Sequence, residues 1–253
     1  MSDRARRIIF FVGALPLAAL LVLACLRLPP SGRGGSSYGD VINGAAADER
    51  HAADAVTAVN FDYRAFDTLG EEFILFTSVM GVVLLLRRSS EDDTEDDTDD
   101  KSANRQAPPT SDAVRALGLA LVGLTVSFGL YIVTHGQVSP GGGFQGGVII
   151  ATGWMVLYLA GNAQTYCRLA SPSLFEAVEA LGAASYALVG AGALVAGMAY
   201  LANYVPLGPT PSTVRSGGTI ALLSVAVGIE VSAGFIVLIS TFLKEALAER
   251  QDQ

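Results

Sequence analysis

Glu230 is the residue whose position first calls for a chemical explanation. It sits in the run LLSVAVGIEVSAGFIVLIS, and no other charged residue occurs between Arg215 and Lys244. An ionised carboxylate in hydrocarbon is expensive, so the group must be protonated, paired or in contact with water. Its neighbours four residues away on either side, Ala226 and Gly234, are small enough to admit a second helix or a file of water. Two chemistries fit these facts. Glu230 is a station on an ion or proton path, or it is a protonated acid hydrogen-bonded across a helix interface.

Glu71 and Glu72 raise the same question. Adjacent residues point about 100° apart on a helix, so at most one of them easily faces a given cavity. They are ion-path groups, or acids favoured at a helix start by its dipole. Glu176 and Glu179 read as structural, because Ser173 and Glu176 have capping-box spacing just behind Pro172. His135 fits either a proton relay or an interfacial cap. It opens the segment HGQVSPGGGFQGG, in which Pro140, Gly141, Gly142, Gly143, Phe144, Gly146 and Gly147 crowd together. The pairs Gly142/Gly146 and Gly143/Gly147 have small-xxx-small spacing, suited to close helix packing. Unwound backbone at that depth is tolerated only where protein or a water cavity covers it. An anion site at the following helix start is a weaker alternative, since no lysine follows.

Much else is excluded by what the chain lacks. It contains no HExxH, CxxC or Walker loop, and its two cysteines and two histidines leave little from which to build a metal or nucleophile–base site. The expectation is no enzyme, no metal and no cofactor. No basic stripe suggests nucleic acid. The formal charge of −8 comes from one run, Glu91 to Asp100, which holds eight acids.

The elements that must position these residues are membrane spans. Apolar residues make up 51% of the 253 and charged ones 16%, against about 25% charged in soluble domains. Six stretches read as transmembrane helices: Ile8–Leu28, Phe66–Leu86, Ala113–Val133, Phe144–Gly161, Glu179–Leu201 and Gly217–Leu243. The first resembles a signal peptide in its basic flank, but its length and the absence of a clean cleavage site favour a retained span. The second is acid-free only from Phe73, roughly 21 Å of helix against a core of roughly 30 Å. Crossing therefore draws Glu71 and Glu72 into the membrane. Eleven Lys/Arg fall on one side and five on the other, which predicts both termini in the cytoplasm. That topology puts Cys25 and Cys167 on opposite faces, too far apart for a disulfide. Residues 89–110 form a polar, acidic linker between a two-span unit (1–88) and a four-span unit (111–253). The fold class is an all-α membrane protein with about six spans, arranged two plus four.

Residues 113–245, centred on YIVTHGQVSPGGGFQGGVIIATGWMVLYLAG, resemble the MnhB/MrpB component of the Mrp/Mnh-type multisubunit sodium/proton antiporter. GIEVSAGFIVLI fits that family's last helix less specifically. Asn60 to Arg87, with FDTLGE at its core, is similar to the C-terminal end of the large MrpA-type component, and to a small separate component of membrane-bound hydrogenases. The chain thus looks like a fusion joined at the linker. The resemblance implies a plasma-membrane component of a prokaryotic complex. Its implied partners are the large antiporter-like A-type and D-type components and the small C-, E-, F- and G-type ones. It also implies an accessory or sodium-path role, since the pumping lysine–glutamate pairs belong to the large components and this chain has no lysine inside a span. By motif, Glu71 is the LGE acid and His135 precedes the glycine turn. A redox-driven relative and a helix-packing scaffold are the competing readings.

Overall fold

The computed structural model describes residues 3–28, 37–86, 111–160, 171–208 and 213–249. Among them every regular element is helical. The chain divides into two compact units, residues 1–41 and 42–253. The first unit is built on α1 (Asp3–Leu26), a helix that tolerates Pro16 within it. From Phe11 onward its side chains are almost all exposed, Leu15, Leu20 and Leu21 among them, as suits a helix in lipid. Cys25 is a free, exposed thiol, and Cys167 lies outside the described residues.

In the second unit four helices are long and apolar enough to cross a membrane. These are α4 (Ala65–Leu86), α5 (Asp112–Thr134), α7 (Pro172–Val195) and α8 (Thr219–Glu249). A shorter apolar helix, α6 (Gly143–Leu159), completes the group. With the apolar part of α1, these are the six segments expected from hydropathy, and the chain is an all-helical membrane protein.

α8 is the central helix. Of an 18-residue stretch within it, 61% is buried, against 11% for α4 and for α5. It packs against α4, α5, α6 and α7. The glycine-rich segment makes this close approach possible on two sides of α6. A Cβ at Gly143 would lie 2.2 Å from the Ser224 carbonyl oxygen of α8, and one at Gly147 would lie 2.8 Å from Val231 Cβ. One at Gly146 would instead meet the Gly129 oxygen of α5 at 2.7 Å. Of the two expected small-xxx-small pairs, Gly143/Gly147 serves α8, whereas Gly146 serves α5 and Gly142 does not pair with it. Before α6 the chain turns at Gly142, whose φ of 123° is closed to side-chain-bearing residues.

The fifth expected span needs correction. α7 starts seven residues before Glu179 and stops six before Leu201. At its start Pro172 occupies the first turn, where its missing N–H is harmless, behind Ser171 in extended conformation. At its end Gly197 (φ 74°) donates to the Leu194 oxygen and Met198 donates to the Ala193 oxygen, a Schellman closure. The expected Ser173–Glu176 capping box does not form. Ser171 is the capping residue and makes no side-chain cap bond, while Ser173 lies inside the first turn. Glu179 is thus two turns inside the helix rather than at its mouth.

The stretch before α4 carries more structure than its sequence suggested. It forms α2 (Ser37–Arg50), a short α3 (Ala55–Ala58) and a π-helical turn (Val59–Tyr63). Asp54 caps α3, accepting from the Val56 and Thr57 amides and from the Thr57 hydroxyl at 2.6 Å. Ala46, Ala52, Ala58 and Phe61 join one core with Tyr186, Leu201, Ile220 and Leu223, so this segment covers the end of the bundle where α8 begins. A polar lock holds it there. Arg50 Nε pairs with Asp62 Oδ1 at 2.7 Å, and Asn203 Nδ2 donates to Asp62 Oδ2 at 2.8 Å. Asn203 Oδ1 in turn accepts from the Thr219 amide at 2.8 Å, at the first residue of α8. Tyr63 donates to Glu49 at 2.9 Å, and its pKa is raised by burial first and by that acceptor second, so the phenol stays a donor. Asp62→Ala leaves Arg50 and the Asn203 amide without their shared acceptor. The expected cost is about 1–3 kcal/mol, read as a lower unfolding midpoint in detergent. A midpoint equal to wild type would show that the lock holds nothing.

Candidate functional site: buried carboxyls around the central helix

The three carboxyls that matter come from three helices. Glu72 is on α4, Glu179 on α7 and Glu230 on α8, with relative exposures of 2%, 0% and 0%. The Glu72 and Glu230 carboxyls are neighbours, and Glu179 is near enough to Glu230 for its charge to be felt there. Each is held by helix geometry that the sequence encodes. On α4, Ala65, Thr68, Glu72 and Val79 share one buried face at helical spacing. On α7 the same holds for Glu179, Ala183, Tyr186 and Ala193.

Glycines bring the backbones together at this point. A Cβ on Gly182 would fall 2.5 Å from Glu230 N and 2.6 Å from Glu230 Cα. A Cβ on Gly234 would fall 2.9 Å from Glu179 Oε1 and 3.6 Å from Val79 Cγ2. These contacts fix the helix directions. Gly182 lies against Glu230 and Glu179 against Gly234, so α7 runs antiparallel to α8. Glu72 lies against Glu230 and Val79 against Gly234, so α4 runs parallel to α8.

Backbone amides and hydroxyls leave most of the acid oxygens without a donor among the described residues. Both oxygens of Glu230, both of Glu179 and Oε2 of Glu72 are buried without a hydrogen-bond partner among the described residues. Glu72 and Glu230 lie within hydrogen-bonding reach of each other, so a proton on one carboxyl is shared with the other. The nearby hydroxyls are committed elsewhere. Tyr186, fully buried beside Glu72, donates to the Ala65 oxygen at 2.9 Å, and Thr68 donates to the Asn60 oxygen at 2.7 Å. Buried polar groups are almost always satisfied, and unsatisfied ones mark a functional requirement or a missing small partner. No Lys, Arg or His donates to these carboxyls among the described residues.

The other sequence candidates fall elsewhere. Glu71 is exposed on the outside of α4, about 100° around the helix from Glu72. His135 is the C-cap residue of α5. Its ring stacks on Tyr131 at 4.0 Å, and Nδ1 lies 2.9 Å from the Tyr131 oxygen and 3.1 Å from Thr134 Oγ1. Pro140 is exposed in the turn, and Phe144 meets Phe235 edge-on at 6.5 Å. Gln137 ties the turn to other loops, its backbone oxygen accepting from the Ala53 amide at 2.9 Å and its Nε2 donating to the Val214 oxygen at 2.7 Å. Glu179, which the sequence presents as structural, is the site residue missed there. Its spacing from the small residues Gly182, Ala183 and Gly190 was the available signal.

Comparison with known proteins gives this arrangement a family. The family described as a domain related to the MnhB subunit of Na+/H+ antiporter matches residues 113–237, which include α5 to α7 and most of α8. The uncharacterized protein MJ1307 of Methanocaldococcus jannaschii is 32% identical over 196 residues, covering 71% of this chain and 72% of that protein. The chain belongs to the MnhB-related family. That family is named for part of a transporter rather than for an enzyme.

Two solved structures extend the likeness beyond the matched domain. A chain of the membrane-bound sulfane sulfur reductase, an archaeal respiratory membrane complex, superposes with a TM-score of 0.68 at 27% identity. The match covers 94% of this MnhB-related chain and 98% of that one. A chain of the Mrp complex from Dietzia sp. DQ12-45-1b has the same fold, with a TM-score of 0.67 at 24% identity. There the match covers 95% of this chain but only 26% of the longer one. Both structures are multisubunit membrane complexes.

Proposed function

We propose that this chain is an ion-path component of a sodium/proton antiporter-type complex, accessory to larger pumping components. The observation that carries the reading is the set of unpartnered carboxyls converging on the middle of α8. Three buried acids that receive no hydrogen bond from any other residue type among the described residues, in a chain whose lysines are Lys101 and Lys244, suit exchange of a cation for a proton. A lysine-based proton pump has no residue to use here. Family membership supports the same assignment.

Several further points belong to the proposal. The chain crosses the plasma membrane six times with both termini inside, from its Lys/Arg distribution. Its N-terminal spans derive from an MrpA-like element and the rest from an MnhB-like one, joined through residues 89–110. Its partners are the large A-type and D-type components and the small C-, E-, F- and G-type components of such a complex. Glu72 and Glu230 are the paired exchange groups. Glu71, on the outer face of α4, and His135, at the end of α5, lie at the approaches.

A second reading is favoured by one observation, the nearly full-length match to a respiratory complex chain. In it the same bundle serves a redox-driven pump. Affinity purification of the chain in mild detergent separates the two. The antiporter reading expects co-purification of antiporter-like proteins without iron–sulfur proteins, and iron–sulfur partners in stoichiometric amount would replace it with the redox reading. Recovery of the chain alone would contradict both.

A further inference from the structure

The Glu72–Glu230 pair accounts for two of the three buried acids, and leaves Glu179 unexplained. Along α8, Glu179 lies level with Gly234, four residues and about 6 Å past the level of Glu230. Glu176, one turn earlier on α7, is half-buried and close enough to act on Glu179 electrostatically. In axial order the acids therefore run Glu72 with Glu230, then Glu179, then Glu176 near the start of α7. Each step is about one helical turn.

The seat of Glu179 points the same way. Its carboxyl occupies a notch that exists because residue 234 has no side chain, with Val79 of α4 closing the other side. Neither oxygen has a donor among the described residues, and the side chain is fully buried. A carboxyl serving only to pin two helices would be satisfied by a donor on the facing helix, where α8 offers glycine instead. A small donor or a cation fills that requirement better than a packing contact.

We infer that Glu179 is a relay site for the exchanged monovalent cation and proton, carrying them between the Glu72–Glu230 pair and the Glu176 end of α7. The inference rests on the proposed ion-path function. At each transfer a cation arriving at the Glu179 carboxyl displaces one proton, and a proton returning displaces the cation, so the local charge is unchanged. Gly234 keeps the carboxyl within a turn of Glu230, and Glu176 continues the line toward the helix end.

The test uses the assembled complex in everted vesicles, with sodium-dependent proton exchange normalised to complex content. Glu179→Gln preserves size and polarity, and should lower exchange about tenfold or more, an added barrier of about 1.4 kcal/mol. Glu179→Asp should restore part of it. Full exchange in Glu179→Gln alongside loss in Glu230→Gln would overturn the relay and leave the ion-path reading standing. Full exchange in both would overturn both. Should Glu179→Gln fail to assemble, carbodiimide labelling of wild-type complex decides. Labelling of Glu179 that sodium slows, and choline at equal ionic strength does not, supports the relay, whereas labelling indifferent to sodium, or none, overturns it.

Discussion

Glu230→Gln should remove most sodium-dependent proton exchange while the complex still assembles. Gln keeps the volume and can accept and donate hydrogen bonds, so the close contact with Gly182 survives the change. On the proposed path, what disappears is the charge that would offset a dehydrated cation in the middle of α8. Leaving a cation beside a neutral amide in the membrane interior costs several kcal/mol, and each increment of about 1.4 kcal/mol slows transfer about tenfold. The loss should therefore be at least as large as for any other single acid. Normalised exchange in vesicles checks it. Near-normal exchange at normal complex content would put Glu230 off the path. Impaired assembly with normal exchange per complex would return it to the helix-locking role left open by the sequence.

The second large effect is on stability. Gly143→Ala places a methyl 2.2 Å from the Ser224 oxygen, 2.6 Å from Val227 Cβ and 2.8 Å from Gly228 N. Two of those atoms are backbone of α8, so no rotamer change relieves the clash and the two helices must separate. Overpacking of a tight interface costs about 1–3 kcal/mol, more where backbone must move. A fall of roughly 5–10 °C in the unfolding midpoint is expected. Gly123→Ala is the control, since a methyl there meets nothing within 4 Å. Equal midpoints for the two variants would mean that α6 and α8 tolerate separation, against the packing described above.

How much of this was legible beforehand depends on what kind of signal each feature leaves. α5 and α6 begin within one residue of their expected starts, because hydropathy and the Ser111 and glycine boundaries coincide there. Glu230 stood out because isolation of a charge is visible in one dimension. The choice between Glu71 and Glu72 was not, since either could face inward until the partner helix was known. The buried set Ala65, Thr68, Glu72 and Val79 settles it in favour of Glu72 facing the bundle. Glu179 was lost for a different reason. Beginning the membrane span at the acid itself makes it interfacial, whereas it lies two turns into an apolar helix that Pro172 opens and Gly197 closes. α2, α3 and the link between them leave little hydropathic trace because their burial depends mostly on alanines, Ala46, Ala52 and Ala58, covering a surface formed by distant helices.

The family model lies over α5 to α8, and the proposed exchange role rests on where three helices bring their acids. Neither depends on the N-terminal unit, whose arrangement is a separate matter. The most direct measurement reconstitutes the purified complex in liposomes with an imposed pH gradient and no electron donor or acceptor, then adds a sodium pulse. If the buried acids exchange sodium for protons, the pulse collapses the gradient with wild-type complex and fails to do so with Glu72→Gln/Glu230→Gln. A wild-type complex that ignores sodium until a redox substrate is supplied, or a double variant that exchanges at the wild-type rate, would contradict it.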